Sequence, residues 1–361
     1  MAEDMLVYVG TRTAAESEGI YVYSMDGKTG ALEPVTEFPG IDNPTYLTVH
    51  PQGNYLYAIN EVTDFGEREA GGVTAFALDP ETGALTMLNQ QSSEGPGPCY
   101  ISVDDTGRFA LVANYVGGSV GILPIKEDGT LAPASDFVQH TGSSVNPQRQ
   151  AGPHAHSIQP DPTNCYAFAA DLGLDKLMIY KLDLDEGKLE PNAQPWAELA
   201  PGSGPRHFAF HPNGEYVYII TELGNTIVAF SYDSEHGTLE EIETVSTLPK
   251  GFEDRNHCAD IHFSPSGKFL YGSNRGHDSI VIFAVDKETG KLTYVDREST
   301  RGEIPRNFCI DPSGEFLLVA NQDTDNIVSF RIDQGTGTLT PTGYQATVSM
   351  PVCLKVLPPS A

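Results

Sequence analysis

The chain has 361 residues, 39% of them hydrophobic, with 36 glycines, 26 prolines and a single tryptophan. That composition suits a turn-rich folded protein rather than a disordered one, and no apolar run approaches the ~20 residues of a membrane-spanning helix. The formal charge of −28 at pH 7 works against contact with nucleic acid or an anionic membrane, so an anionic ligand would need a local basic cluster.

In chain order, the first element is MLVYVGT at residues 5–11, an alternating run that predicts a strand. The four residues before it lack the basic and apolar regions of a signal peptide, and a cytoplasmic location is expected. The five cysteines (Cys99, Cys165, Cys258, Cys309 and Cys353) are odd in number and lie within apolar strand runs without a CxxC pair. Buried free thiols in a reducing compartment are the expectation.

Two patterns then recur seven times. One is a strand start followed seven residues later by Pro or Asp in a turn: Pro44 to Pro51, Pro98 to Asp105, Pro153 to Pro160, Pro205 to Pro212, Cys258 to Pro265, Pro305 to Pro312 and Pro351 to Pro358. The other is a polar turn closing in Gly-x-Leu: Gly30/Leu32, Gly83/Leu85, Gly129/Leu131, Gly187/Leu189, Gly237/Leu239, Gly290/Leu292 and Gly337/Leu339. The spacing, roughly 50 residues, is that of a propeller blade rather than a helical solenoid.

Runs such as YLYAIN and YVYIIT have period two, about four to a unit, which predicts four antiparallel strands, a to d, in each. The C-terminal MPVCLKVLP reads as a strand a lacking its b, and MLVYVGT as a b lacking its a. The expected fold is therefore all-β: one seven-bladed β-propeller over residues 1–361, its ring closed by the C-terminal strand against the N-terminal ones. With one Trp and no WD dipeptide, WD40 and kelch repeats fit poorly.

This topology puts the short a–b and c–d turns at one rim. The variable connections (61–72, 135–152 and 246–256) lie at the other, where function is expected. Directly after the proline slot that rim carries Thr45, Cys99, His154, Arg206, Ala259, Arg306 and Val352. At the ends of the b strands it carries Arg12, Glu61, Tyr115, Leu172, Glu222, Arg275 and Gln322. Arginines thus gather at this rim, whereas Lys28, Lys126, Lys188, Lys287 and Lys291 sit in or near the opposite turns.

Arg206 and Glu222 should face each other across one a–b hairpin, flanked by His154 and Arg275 from the neighbouring blades. Two arginines, a carboxylate and an imidazole can bind an anion, activate water and hold an oxyanion. Taken alone, the Arg206–Glu222 pair reads equally as a cross-strand ion pair. His156 occupies a core-facing slot in this alignment and is expected to brace the site. Arg306, Arg12 and Asn274 complete the substrate-binding candidates. No DxDxDG loop, HExxH, Gly-rich phosphate loop or GxSxG occurs, so neither a metal, a nucleotide cofactor nor a nucleophile elbow is expected.

The runs GPHAHS (152–157), GPRHFAFHPNG (204–214), TELGNT (221–226), ADIHFSPSGKFLYGSNRGHDSI (259–280) and PRNFCIDPSGEFLLVANQDTDNI (305–327) resemble the seven-bladed propeller lactonases. That family takes in propeller-type 6-phosphogluconolactonases and carboxy-cis,cis-muconate cyclases, and the resemblance covers essentially the whole chain. It implies a metal-independent enzyme whose active-site His, Arg, Glu and Arg fall on His154, Arg206, Glu222 and Arg275. In the reading it implies, a small anionic lactone, 6-phospho-D-glucono-1,5-lactone first, is hydrolysed. Glu222 activates water, Arg206 and Arg275 hold the oxyanion or the anionic group, His154 protonates the leaving oxygen or exchanges roles with Glu222, and Arg306 and Arg12 meet a phosphate. A cyclase-like enzyme for muconolactone-type acids, and a non-catalytic propeller binding an anionic metabolite or a protein, are the alternatives.

Overall fold

The computed structural model describes residues 4–13, 17–66 and 69–357. Seven four-stranded antiparallel sheets form the seven blades, and no helix occurs among the described residues. Blade 1 runs from Leu47–Val49 to Leu85–Ser92, blade 2 from Pro98–Val103 to Asp136–Gln139 and blade 3 from Ala155–Pro160 to Lys188–Glu198. Blade 4 runs from Pro205–Phe210 to Thr238–Ser246, blade 5 from His257–Phe263 to Leu292–Ser299 and blade 6 from Pro305–Ile310 to Leu339–Thr347. In blade 7 the strand Pro351–Leu357 pairs antiparallel with Met5–Thr11, followed by Gly19–Met25 and Leu32–Pro39. The closure expected from the two orphan strands is thus present; Pro358 lies outside the described residues.

Strands a to c are apolar on both faces because each blade is sandwiched between two others. Between blades 3 and 4, for example, Phe168, Ile179, Phe208, Val217, Ile219 and Phe230 form one buried cluster. The outer d strands, such as Leu32–Pro39, are exposed along most of their length.

The Gly-x-Leu turns hold neighbouring blades together. Buried tyrosines on the b strands donate their hydroxyls to the glycine carbonyl of the next blade's c–d turn. The pairs are Tyr8 to Gly83 (3.1 Å), Tyr57 to Gly129 (3.1 Å), Tyr218 to Gly290 (2.6 Å) and Tyr271 to Gly337 (2.9 Å). Glycine is required at these turns on two counts. At Gly290, for instance, φ is +68°, and a Cβ would lie 2.5 Å from the Tyr216 ring.

Candidate active site

In blades 2 to 7 the a strand pairs with its b strand through an irregularity at the rim end. In blades 2, 3, 4 and 6 the register slips by one residue, between Pro98/Tyr100, Ala155/Ser157, Pro205/His207 and Pro305/Asn307. A bulged residue is re-aimed relative to the strand. The four bulged residues are Cys99, His156, Arg206 and Arg306, and all four line the mouth of the central channel. This register corrects the sequence alignment in the third copy. Ala155, not Pro153, is the equivalent of Pro205, because Asp161-Pro162 forms the turn that His211-Pro212 forms in blade 4. His156 therefore takes the mouth slot, and the buried core slot belongs to Ile158, matching Leu47, Ile101, Phe208 and Phe308.

The b strands end as expected: Arg12, Glu61, Tyr115, Leu172, Glu222 and Gln322 directly follow them, and Arg275 is the last residue of its own. Glu222 is the hub. Its Oε2 accepts from Arg206 Nε at 3.0 Å and Arg275 Nη2 at 2.8 Å, and its Oε1 from Arg149 Nη2 at 2.6 Å. Burial alone would raise its pKa, but Arg275 and Arg206 outweigh that and hold it well below the usual carboxylate range. Such a carboxylate keeps its charge, and both of its oxygens already accept from guanidiniums.

Arg206 is almost wholly buried and fixed from both ends. Its Nη1 donates to the Ala259 carbonyl (2.7 Å) and to His207 Nε2 (3.2 Å). His207 in turn donates from Nδ1 to Asp260 Oδ1 at 2.7 Å. Because a guanidinium only donates, this chain assigns the Nδ1–H tautomer to a neutral His207, in keeping with a pKa that burial and Arg206 push down to about 4.

On the other side of the mouth, Arg12 Nη2 donates to both oxygens of Glu61 (3.0 and 3.1 Å), and Thr45 Oγ1 donates to Glu61 Oε2 at 2.6 Å. Arg306 differs from its neighbours. It has no carboxylate, carbonyl or other hydrogen-bond partner among the described residues. Burial disfavours its charge, and the nearby cations Arg206, Arg275 and Arg12 disfavour it further. Glu61, which already pairs with Arg12, offsets part of this. A guanidinium does not deprotonate in a protein, so Arg306 remains a half-buried cation with no carboxylate of its own.

These groups, with Arg255 and His257, surround a cavity of about 320 Å3 at the mouth. Six of the chain's arginines (12, 149, 206, 255, 275 and 306) meet there with two carboxylates, Glu61 and Glu222. A larger cavity, about 790 Å3, opens near the opposite turns; Asp4 and Glu81 line it and no Lys or Arg does. Among the described residues no cluster of three or more His, Cys, Asp or Glu side chains could hold a metal ion.

Residues 6–356 match the family model described as Lactonase, 7-bladed beta-propeller. The chain belongs to the seven-bladed β-propeller lactonase family. It is 41% identical over 304 residues to the 6-phosphogluconolactonase of Bacillus subtilis strain 168, covering 84% of each chain. It is 39% identical over 309 residues to the 6-phosphogluconolactonase of Formosa agariphila, covering 84% of this chain and 86% of that one. The structure of the periplasmic gluconolactonase PpgL of Pseudomonas aeruginosa superposes with a TM-score of 0.94 at 35% identity, over 99% of this chain and all of that one.

Within this lactonase the mouth brings together His156, Arg206, Glu222, Arg275, Arg306 and Arg12, but not two other candidates. His154 lies off the cavity: its ring stacks on Tyr115 at 4.6 Å between centroids, with Nδ1 2.8 Å from the Tyr115 carbonyl. Its backbone N–H donates to Asp171 Oδ1 at 2.8 Å. Asn274 is wholly buried inside blade 5. Its Oδ1 accepts from Thr247 Oγ1 (2.8 Å) and Asn256 Nδ2 (3.1 Å), and its Nδ2 donates to the Thr247 carbonyl (3.3 Å). Asn60, Asn114 and Asn321 sit at the same place in their blades and also donate to a backbone carbonyl. The residue is a blade cap, not a substrate contact. The thiol expectation needs one correction too, since Cys165 is exposed while the other four cysteines are buried.

Arg149, Arg255 and His257 were missed. The two arginines come from the connections 140–152 and 247–256, which carry no repeat signal; the first is shorter than expected because Asp136–Gln139 is the d strand of blade 2. Their location on the long loops of the functional rim was the only available pointer.

Proposed function

We propose that this propeller hydrolyses 6-phospho-D-glucono-1,5-lactone, with the phosphate seated at Arg306. The observation that carries the reading is a half-buried guanidinium without a hydrogen-bond or ion-pair partner of its own, in a net-cationic mouth on a chain of charge −28. Such a partly desolvated cation favours an anion joining it. In the mouth the free N–H groups of Arg275 and Arg206 face the lactone carbonyl and hold the oxyanion as water adds. His156 takes the proton from that water. Its ring is buried with Nδ1 turned to Cys99 Sγ, and burial and then Arg206 hold its pKa well below the ordinary imidazole value, so it is neutral near pH 7. The proton then goes to the ring oxygen as the C1–O bond breaks, giving the open-chain acid. Glu222 clamps the arginines in the geometry the oxyanion needs.

The four buried, unpaired thiols suit a reducing cytoplasm. A second reading replaces the phosphorylated lactone with free gluconolactone, and the named activity of the Pseudomonas relative favours it.

One experiment separates them. Turnover of freshly generated 6-phosphogluconolactone and of gluconolactone is measured above spontaneous opening, with and without EDTA, for wild type and Arg306→Ala. The expected result is fast, EDTA-insensitive turnover of the phosphorylated lactone. Its kcat/KM falls about 10- to 100-fold in the variant, as loss of a charge-assisted contact implies, while gluconolactone is little affected. Equal loss on both substrates would remove the phosphate from Arg306, and no turnover of either lactone would end the lactonase reading.

A further inference from the structure

Arg149 is the most exposed of the three guanidiniums on Glu222: its side chain is 32% exposed, against 11% for Arg275 and 2% for Arg206. It also comes from a connection, 140–152, that contains no strand. Such a side chain points steadily into the mouth only if its loop is held.

The loop is held on blade 3. At its start, buried His140 sits between Asp171 Oδ2 (2.6 Å) and the Tyr180 hydroxyl (2.7 Å). Next to Arg149, the wholly buried Gln150 donates from Nε2 to the Leu172 carbonyl (2.9 Å) and to Asp175 Oδ1 (2.8 Å). Ser144 Oγ donates to Asp175 Oδ2 at 2.5 Å. The same carboxylate also accepts from Gly202 N (2.7 Å) and Gly204 N (2.6 Å), the latter two residues ahead of Arg206.

The b–c turns of blades 4, 5 and 6 carry Asn225, Asp278 and Asp325 at the same place. Like Asp175 (φ 54°), they have positive φ, at 55°, 50° and 52°. Each accepts from the d–a connection that follows its blade: from Asn256 Nδ2 (2.8 Å), Ile304 N (2.9 Å) and Met350 N (2.7 Å). Of the four, only Asp175 also takes donors from the connection preceding its blade, the one that delivers Arg149.

We propose that Arg149 contacts the substrate and that Asp175, acting through Gln150, is its positioning residue, setting the segments that carry Arg149 and Arg206 in one fixed relation. This rests on the mouth being the lactone site.

The test compares wild type, Gln150→Leu, Arg149→Ala and the double variant in 6-phosphogluconolactone turnover and in calorimetric binding of 6-phosphogluconate. Gln150→Leu keeps the buried volume and loses all three side-chain hydrogen bonds, including the one Oε1 accepts from Asn146 N at 3.1 Å, while Asp175 keeps Ser144, Gly202 and Gly204. It should raise KM about tenfold with a smaller change in kcat, weaken product binding by a similar factor, and add nothing to Arg149→Ala. Additive losses, or an unchanged KM in an active Gln150→Leu protein, would overturn the positioning role alone. A wild type that neither turns over the lactone nor binds the product would overturn the reading of the mouth as well. Should Gln150→Leu not fold, Ser144→Ala, half-buried on the same carboxylate, is held to the same non-additivity.

Discussion

Glu222, His207 and Asp260 show how single residues settle which groups can move protons. Three guanidiniums on one carboxylate make Glu222 a fixed anion, and the Asp260–His207 pair fixes the arginine that it shares with Glu222. The imidazoles are the groups left neutral, and this has a measurable sign. His156 and His207 have folded pKa values below the unfolded one, so between about 6.5 and the folded value the unfolded chain binds protons the folded one does not. Stability should therefore be level above pH 6.5 and fall as pH drops from there toward about 4. The slope is up to about 1.4 kcal/mol per pH unit for each histidine. Asp260 is depressed by His262 and His207 against the effect of burial, and Glu222 by its arginines. Their contribution is present above ordinary carboxylate pKa values and is lost only at lower pH still. Denaturant midpoints at half-unit intervals from pH 8 to 4 check this; midpoints that stay level from pH 6.5 to 5 would mean these rings are protonated in the folded state.

At the scale of strands, the blade is a repeated solution to one packing problem, and the tyrosine latches are its seams. Tyr218 is wholly buried and its hydroxyl has a carbonyl partner at 2.6 Å. Tyr218→Phe keeps the ring and leaves the Gly290 carbonyl without that donor, which should destabilise by about 1–2 kcal/mol. Since the latch sits by the turns opposite the mouth, lactone turnover should be unchanged. A denaturant midpoint equal to wild type would show that the seam contributes nothing. The same repetition made much of the molecule legible from sequence. The Pro-to-turn spacing sets the a–b hairpin length, and that alone puts Arg206 opposite Glu222. In the third copy two prolines, Pro160 and Pro162, compete for the turn position, and choosing the first shifted the register by two residues and exchanged His154 for His156. Bulges compound this, because a single extra residue changes which side chain faces the channel. Arg149 and Arg255 were illegible for a different reason: loop conformation follows from individual buried hydrogen bonds, such as those of Gln150 and Asp175, and these have no period to read.

At the scale of the whole ring, the arrangement sorts charge and depends on closure. Arginines converge on the mouth while the lysines of the opposite turns (Lys28, Lys126, Lys188, Lys287 and Lys291) are exposed, so an acidic molecule presents one inward-facing cationic surface. That surface is built from blades 1 to 7 together and exists only while the ring is closed. Closure rests on Pro351–Leu357, paired with Met5–Thr11 from Leu6↔Leu357 to Thr11↔Pro351. Its Leu354 N–H donates to Asn307 Oδ1 at 2.7 Å, and Cys353 Sγ accepts from the Leu47 N–H at 3.3 Å. The strand thereby touches blades 6 and 1 as well as its own. Val352, Leu354 and Leu357 are buried, and at about 1.5–3 kcal/mol each they contribute roughly 5–9 kcal/mol. That is comparable to the entire net stability of about 5–15 kcal/mol typical of a folded domain. A chain ended after residue 350 would also expose an unpaired strand edge at Met5–Thr11 and the apolar faces of two blades. It should lose the cooperative thermal transition of the whole ring and aggregate, rather than lose one blade and keep six. Soluble yield and a thermal scan of the truncated chain decide this. A sharp transition within a few degrees of wild type would mean that the other six blades hold the ring without their closing strand.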